Sequence, residues 1–241
     1  MTTVKYVLRR VLHAFATLFI VVCIVFVLLR WMPVEGYFNN FERMSDTAIQ
    51  VSLQKQGLTE PVPVQIYQYF RRLLKGDLGV SNRYRQGYPI SRIIAQKAPV
   101  SIRLGVISLA ISLVAGLILG ILMARSSQTR WKILDKFGTV FIVLTQAVPA
   151  SVYCLLIQLY GTGILGFSML YDEKNPVTWI LPIFSLSIGN AAYYAMWLRR
   201  YMLDESNRDY IRLARAKGVS EGKIVGSHIF RNAIVPLAQY I

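Results

Sequence analysis

The chain has 241 residues, of which 54% are hydrophobic and only 16% are charged, and its mean hydropathy is +0.43. Soluble domains carry about a quarter charged residues, so this composition argues against a soluble domain and indicates a membrane protein. The formal net charge of +15 does not indicate nucleic-acid binding, because the basic residues cluster beside long apolar runs and no aromatic residues interleave with them in a soluble sheet or groove.

The first predicted element is a membrane span, the apolar run Val11–Leu29, which contains no Lys, Arg, Asp or Glu. Such a run can cross a hydrocarbon core of about 30 Å, whereas a cleaved signal peptide would have a shorter apolar region and a small-residue cleavage site. The run is preceded by Lys5, Arg9 and Arg10 and followed by Arg30, Trp31 and Pro33. Residues 1–32 are therefore expected to form an uncleaved anchor helix with a cytoplasmic N-terminus.

Residues 33–98 contain no predicted span and are expected to be an extracytoplasmic segment with short amphipathic helices. Ser45 suits the N-cap of a first helix, which should end before Gly57. Pro61 opens a second helix, and Gly76 suits its C-terminal stop. We expect the second helix to pack on the membrane surface or on the helical bundle. Its apolar face comprises Val62, Ile66, Tyr69, Phe70 and Leu73.

The second predicted span is Val100–Ala124, with Arg103 near its outer end, where the side chain can reach the interface. Small residues suited to close helix contacts recur along this span. They are Gly105, Ser108, Ala110, Ala115, Gly116 and Gly120. The loop that follows contains Arg125, Arg130, Lys132 and Lys136. A short basic loop is typical of the cytoplasmic side, which agrees with a cytoplasmic N-terminus and two crossings.

Two further spans are predicted, Phe137–Tyr160 and Trp179–Leu198, separated by the short outer loop Gly161–Pro176. Pro149 breaks the third span, because proline removes a backbone donor and kinks a helix. Polar residues in these two spans are candidates for lining a pathway, since intramembrane polar groups seldom face lipid. The candidates are Gln146, Gln158, Asn190 and Tyr194. Hydrogen bonding between helices is the alternative role and the favoured one.

The stretch Asp209–Pro236 overlaps a basic segment, residues 199–232, which follows the fourth span and is therefore predicted to be a cytoplasmic loop. Its pattern predicts two short helices separated by Gly218, which permits the positive φ that ends a helix. Ser220 suits the N-cap of the second helix. The small residues Ala214, Ala216 and Gly218 would lie at the corner between the helices. Such a corner can enter a groove on a partner, and an ordinary solvated loop is an equally supported alternative.

A fifth apolar run begins near Ala233, and the sequence ends at Ile241. A segment of this length cannot cross a bilayer. We expect either that the sequence is a fragment or that this segment lies in the interface, and the fragment is favoured. Residues 99–241 are therefore expected to form a core with three full spans, the cytoplasmic loop 199–232 and the start of a fifth span.

The cysteines and histidines predict neither a disulfide framework nor a metal site. Cys23 and Cys154 both lie inside apolar runs, and the sequence contains no CxxC motif and no Cys/His cluster. His13 and His228 are far apart in the sequence and have no partner residues of the metal-binding type nearby. We therefore expect no metal and no cofactor.

Three stretches of the sequence together resemble one protein family. The first is Tyr210–Gly218 (YIRLARAKG), followed by His228, Arg231, Asn232 and Pro236. The second is Tyr6–Pro33, in which a Leu-Arg-Arg triplet precedes the span and Arg-x-x-Pro ends it. The third is Gly76–Ser81 (GDLGVS), with Pro89 and the Pro-Val-Ser triplet at 99–101 downstream. They are similar to the membrane subunits of ABC importers, and most similar to the first permease subunit of the dipeptide, oligopeptide and nickel branch.

The resemblance implies an all-α, polytopic membrane protein with the type I ABC importer transmembrane fold, in the cytoplasmic membrane of a bacterium or archaeon. The chain would form half of a pathway for di- or oligopeptides, with nickel, a metal chelate or a glycan as the alternative substrate. Its implied partners are a second homologous permease, two cytoplasmic ATPase subunits and an extracytoplasmic substrate-binding protein. ATP hydrolysis would belong to the ATPases, so no catalytic residue is expected. The implied ATPase-coupling residues are Asp209, Tyr210, Ala214, Arg215, Ala216, Lys217, Gly218 and Glu221.

Two alternatives from other classes are an ATP-independent secondary transporter and a membrane scaffold. A secondary transporter would need charged relay residues within its spans or a pair of broken helices. Only Arg103 lies clearly within a predicted span, and the break at Pro149 has no obvious counterpart in the sequence. A scaffold would leave the pattern of the cytoplasmic loop unexplained.

Overall fold

The computed structural model describes residues 3–37, 42, 44–81, 84–85 and 87–240, and it is almost entirely helical over these residues. The chain divides into two compact units, Met1–Lys97 and Ala98–Ile241. Between them they contain ten α-helices in the described residues, numbered α1 to α10 in chain order.

The first unit consists of a long helix and a helical segment that ends in a small sheet. Its elements are α1 (Thr3–Arg30), a 3₁₀ turn (Val34–Tyr37), α2 (Asp46–Lys55), α3 (Val62–Leu74), β1 (Val80–Ser81) and β2 (Tyr88–Pro89). The two strands pair antiparallel, with Val80 opposite Pro89. The predicted cap at Ser45 is confirmed, since its Oγ accepts a hydrogen bond from the Ala48 N–H at 3.4 Å.

The apolar face of α3 packs against α1 through aromatic rings. Phe70 lies 4.8 Å from Phe19 and Tyr69 lies 5.6 Å from Phe26, measured between ring centroids. These contacts bury part of the apolar stripe that the sequence places on α3. Within the first unit, this amphipathic helix therefore packs on α1, and its expected packing on the membrane surface or on the bundle stays a prediction.

The second unit is a helical bundle. Its elements are the greater part of α4 (Ile90–Ser127), then α5 (Ile133–Ala147), α6 (Ala150–Leu165), a 3₁₀ turn (Pro176–Trp179), α7 (Ile180–Ser206), α8 (Asp209–Ala216), α9 (Glu221–Lys223), a π-helical segment (Ile224–Phe230), α10 (Arg231–Leu237) and a 3₁₀ turn (Ala238–Tyr240). α7 is the central helix, because α5, α6 and α10 all pack against it.

Helix α4 approaches α7 closely at two glycines. A Cβ atom at Gly116 would lie 2.8 Å from the carbonyl oxygen of Ala191, and one at Gly120 would lie 3.0 Å from that of Ala195. Because glycine has no side chain, the two backbones can approach closely here, as they do at small residues in other membrane bundles. The predicted close contact is confirmed at these positions. It is not found at Gly105, where a Cβ would meet nothing within 4 Å among the described residues.

The third predicted span is not a single kinked helix. α5 and α6 are bent by 103° relative to each other, so they form either a broken span or a re-entrant loop. The reason lies in the residues between them. Val148 is extended, with φ −97° and ψ 128°, because a residue before proline avoids the helical region, and Pro149 then caps α6 with ψ 136°. The sequence showed where the helix breaks but underestimated the angle.

The number of apolar spans is also lower than predicted. Among the described residues, Val4–Arg30 and Ile90–Ser127 are each long and apolar enough to cross a membrane, and the bent pair α5–α6 can supply a third. α7, which contains the predicted fourth span, is long enough with 27 residues but does not reach this apolar content. The physical reason is its central position, since neighbouring helices cover it and its buried positions include Ser185 and Ser187.

We predict that Gly120→Val destabilises the bundle and that Gly105→Val on the same helix does not. The added side chain at position 120 would meet the Ala195 carbonyl and the Leu198 side chain at about 3 Å, and such overpacking costs about 1–3 kcal/mol. Thermal unfolding of the purified protein in detergent measures the difference. Equal midpoints for the two variants would contradict the close packing of α4 on α7.

Candidate functional site

The segment Asp209–Lys223, here called the helical corner, consists of α8, a tight turn and α9. α8 ends at Ala216, and Gly218 adopts a left-handed conformation with φ +75°. The Gly218 N–H donates to the Arg215 carbonyl at 3.0 Å, and the Val219 N–H donates to the Ala214 carbonyl at 3.1 Å. This pair of bonds is the Schellman C-cap, in which glycine is favoured. The predicted helix stop at Gly218 is therefore confirmed.

One apolar side chain anchors the helical corner to the bundle. Ile211 of α8 is fully buried, and it shares a cluster with Leu198 and Met202 of α7. Ile224 and Ile229 of the π-helical segment belong to the same cluster and are 0% and 2% exposed. Residues five apart share a face in a π-helix, whose hydrogen bonds run from i to i+5, so both isoleucines can point inward. α7, α8 and the following helix are thus joined by apolar packing.

A hydrogen-bond network joins α7 and α8 to α10 at their polar side. The hydroxyl of Tyr210 in α8 donates to the carboxylate of Glu205 at the end of α7. The amide nitrogen of Asn232 in α10 donates to the Tyr210 hydroxyl at 2.8 Å and to Glu205 at 3.2 Å. Burial, followed by the hydrogen bond to Glu205, raises the pKa of Tyr210. Tyr210 is therefore a neutral hydroxyl donor at physiological pH.

An ion pair spans the turn at Gly218. The Arg215 guanidinium donates to both carboxylate oxygens of Glu221, at 2.7 and 3.4 Å. This hydrogen bond is the main reason why the pKa of Glu221 is lowered, so the pair is fully charged at neutral pH. Both side chains are substantially exposed, and an exposed pair of this kind contributes little free energy of folding. The pair links the end of α8 to the first residue of α9 across the turn.

The predicted coupling residues divide into an outward and an inward set. Ala214 is half-buried and packs against the apolar cluster, and Tyr210 is bound in its network. Tyr210 is nevertheless 41% exposed, and the remaining residues are exposed as well: Asp209, Arg215, Ala216, Lys217, Gly218 and Glu221. The exposed face also carries Leu213, which is 55% exposed and directly follows Arg212. The helical corner thus presents an apolar residue within a cationic surface.

A second ion pair, missed by the sequence analysis, joins α5 to α7. The Arg199 guanidinium donates to both carboxylate oxygens of Asp135, with Nη2 to Oδ2 at 2.8 Å. Asp135 is buried, and breaking such a pair would leave its charge uncompensated. The sequence offers one signal, because Asp135 is the only acidic residue between Arg125 and Lys136. Its partner lies 64 positions away and could not be identified from spacing.

A groove of about 590 Å³ lies beside the break between α5 and α6. Its lining consists of Thr145, Gln146, Val148, Pro149, Ala150, Tyr153, Cys154, Leu186, Gly189, Asn190, Tyr193, Met196 and Trp197. Among the described residues, those that line this groove include no Lys, Arg, Asp or Glu. The groove therefore offers carboxamide, hydroxyl and aromatic groups without a fixed charge.

The structure brings together two of the four pathway candidates. Gln146 and Asn190 both line the groove, and the Gln146 amide contacts the Met196 sulfur at 3.5 Å. Tyr194 is only 5% exposed and packs in the core against Gly116, so it does not reach the groove. Gln158 also lies outside the lining. The neighbouring Tyr193 takes the position at the groove that the sequence analysis had assigned to Tyr194.

Comparison with known proteins covers both units of the chain. The family profile described as "Binding-prot-dependent transport system membrane comp, N-term" matches residues 3–104, and that described as "Binding-protein-dependent transport system inner membrane component" matches residues 116–241. The oligopeptide transport system permease protein OppB of Haemophilus influenzae is 32% identical over 98% of this chain and 76% of its own length. The dipeptide transport system permease protein DppB of Lactococcus lactis is 32% identical over 99% of this chain and 77% of its own length.

Proposed function

The chain belongs to the inner membrane components of binding-protein-dependent transport systems, and we propose that it is the permease subunit of a di- or oligopeptide importer. The names of its relatives support peptides as the substrate class, since they are oligopeptide and dipeptide permeases. Nickel, metal chelates and glycans, which the sequence left open, are not named in the descriptions of these two relatives. The chain itself is a transport subunit, and ATP hydrolysis is assigned to partner subunits.

We place the helical corner on the cytoplasmic side, together with the N-terminus of α1. The support is the distribution of charge, since basic residues flank the inner ends of the predicted spans and fill the loop around the corner. On this side the corner meets the ATPase subunits. The other proposed partners are a second permease, which completes the pathway, and an extracytoplasmic binding protein, which delivers the peptide.

The observation that carries the coupling proposal is the way the corner is attached. Ile211 fixes it to α7 and to the π-helical segment, and the Tyr210 network ties it to Glu205 and Asn232. A displacement of α8 by a partner is therefore passed on to α7 and α10 rather than absorbed in a loose loop. Rigid-body displacement of packed helices of this kind is a common way of switching between states. In this scheme, closure of the ATPases moves the corner, and α7 carries the motion to the groove.

We assign the groove beside Pro149 to the peptide pathway. Gln146 and Asn190 each offer a donor and an acceptor, which match the amide groups that every peptide backbone contains. The lack of charged residues in its lining suits a passage that must admit peptides with side chains of either charge. The bend between α5 and α6 opens this space, because α5 ends at Ala147 and α6 begins at Ala150 in a different direction.

We predict that Leu213→Glu uncouples the importer without unfolding the chain. The side chain is exposed and apolar, so a buried carboxylate at a docked interface would weaken ATPase binding, and central interface residues often contribute about 2 kcal/mol or more. The expected result is a loss of peptide uptake and of co-purified ATPase, with an unchanged unfolding midpoint. Both are measured on the assembled complex after affinity purification and reconstitution.

The matched control for this experiment is Asn207→Glu. It introduces the same charge at an exposed position in the same loop, between α7 and the helical corner. Uptake and ATPase recovery should stay near those of the unmodified protein. Wild-type transport by the Leu213→Glu protein, with the ATPases still bound, would contradict the docking role of the corner.

We also predict that Asn190→Leu slows peptide uptake and that Gln158→Leu does not. Both changes replace a carboxamide by an apolar side chain in a membrane helix, but only position 190 lines the groove. The loss of one hydrogen bond to the peptide, at about 0.5–1.5 kcal/mol, should reduce the uptake rate by about twofold to tenfold. Uptake of a labelled tripeptide into proteoliposomes measures it. Equal effects of the two variants would contradict the assignment of the groove to the peptide pathway.

A further inference from the structure

The first unit contains a cleft of about 420 Å³ whose role is not explained by transport. It lies where the end of α1 meets the turn after it, the end of α2, and α3. Its polar and aromatic lining includes Arg30, Tyr37, Lys55, Tyr69, Arg72 and Asp77. This set is here called the basic cleft.

The charges of the basic cleft are not balanced. Arg30, Lys55 and Arg72 face a single acidic residue, Asp77. The Asp77 carboxylate accepts a hydrogen bond from the Gly79 N–H at 2.8 Å and thereby holds the turn after α3. Among the described residues, none of the three basic side chains forms an ion pair with a carboxylate. The cleft therefore keeps an excess of positive charge that an anion can neutralise.

Arg30 is held in a defined position with an unused donor. Its guanidinium carbon lies 4.5 Å from the centroid of the Phe26 ring and 5.8 Å from that of Tyr37, which are cation–π contacts. Tyr37 is itself fixed, since its hydroxyl donates to the Leu29 carbonyl at 2.6 Å. The Arg30 Nε is buried and has no hydrogen-bond partner among the residues that the structure describes. A buried donor without a partner is costly and is commonly satisfied by a ligand.

The depth of the basic cleft in the membrane follows from the position of Arg30. This residue ends the span Val4–Arg30 and directly follows the uncharged run Val11–Leu29. The end of such a run lies at the boundary of the hydrocarbon core, where lipid phosphates begin. Trp31, which is 77% exposed, is typical of this boundary. The cationic groups are thus at the level of the lipid headgroups.

An apolar surface continues from the cleft along α1. Leu28 and Leu29 are about half exposed, and no residue in the most apolar 18-residue stretch of this span is buried. A phospholipid matches this arrangement, because its phosphate lies at the interface beside the cationic groups and its acyl chains lie below it beside the apolar surface. Basic pockets between membrane helices can bind anionic lipid headgroups. A free phosphate ion would use the basic cleft but not this adjoining surface.

We propose that the basic cleft binds the phosphate headgroup of an anionic phospholipid, with the acyl chains lying along α1. Arg30 and Arg72 donate to the phosphate oxygens, and Lys55 adds a further positive charge. Bound in this way, the lipid joins α1 to α2 and α3 at the membrane boundary. The inference does not depend on the substrate or on which side of the membrane holds the ATPases.

Native mass spectrometry of the full chain in detergent tests the proposal. The protein is titrated with phosphatidylglycerol, with phosphatidylcholine of the same acyl chains, and with inorganic phosphate alone. We expect one phosphatidylglycerol to be retained in preference to phosphatidylcholine. The double variant Arg30→Gln/Arg72→Gln should lower the apparent affinity for phosphatidylglycerol by about tenfold or more, because each charged hydrogen bond contributes substantially to binding.

The matched control is Arg71→Gln, which removes a neighbouring exposed positive charge of α3 that does not line the cleft. Its affinity for phosphatidylglycerol should fall by no more than the roughly fivefold that a single positive charge near the membrane surface contributes. Arg72→Lys keeps the charge and should retain most of the binding, which separates loss of the site from loss of folding. Equal retention of the two lipids, an equal effect of Arg71→Gln, or binding of inorganic phosphate without phosphatidylglycerol would each overturn the proposal.

Discussion

Burial of Ile211 is the interaction on which the proposed mechanism depends. α8 has only eight residues, too few for a stable isolated helix, and most of its side chains face solvent. The apolar cluster formed by Ile211 with Leu198, Met202 and Ile224 therefore supplies the tertiary packing that holds this helix in place. Because the cluster also contains α7 and the π-helical segment, the same contact that stabilises the helical corner joins it to the bundle.

The central helix α7 connects the two parts of the candidate site. Asn190 lines the groove and Ser206 ends the helix, so the two features lie about 24 Å apart along one continuous element. α7 also carries the ion pair between Arg199 and Asp135 and the close contact with Gly116. A displacement of the corner consequently moves groove residues together with the helix that bears them. The low apolar content of α7 is the consequence of this central position.

The sequence predicted the features that local chemistry determines. Gly218 could be identified as a helix stop because glycine readily adopts a left-handed turn. The break at Pro149 could be identified because proline interrupts a helix. The angle of that break, and the exchange of Tyr194 for Tyr193 at the groove, depend on how α5, α6 and α7 pack, which periodicity does not report. The network of Tyr210 with Asn232 joins residues 22 positions apart and could be found only in three dimensions.

The most direct test is a distance measurement within the proposed rigid body. Spin labels at Lys217 in the corner and Phe184 near the other end of α7, both exposed, can be compared by electron–electron double resonance. The measurement is made in the assembled transporter without nucleotide and in an ATP-trapped state, after Cys23 and Cys154 are replaced by serine. The same distance distribution is expected in both states, because the corner and α7 move as one body. A shift of about 5 Å or more, equivalent to a helical turn, would show that the corner moves independently of α7 and would contradict the coupling mechanism.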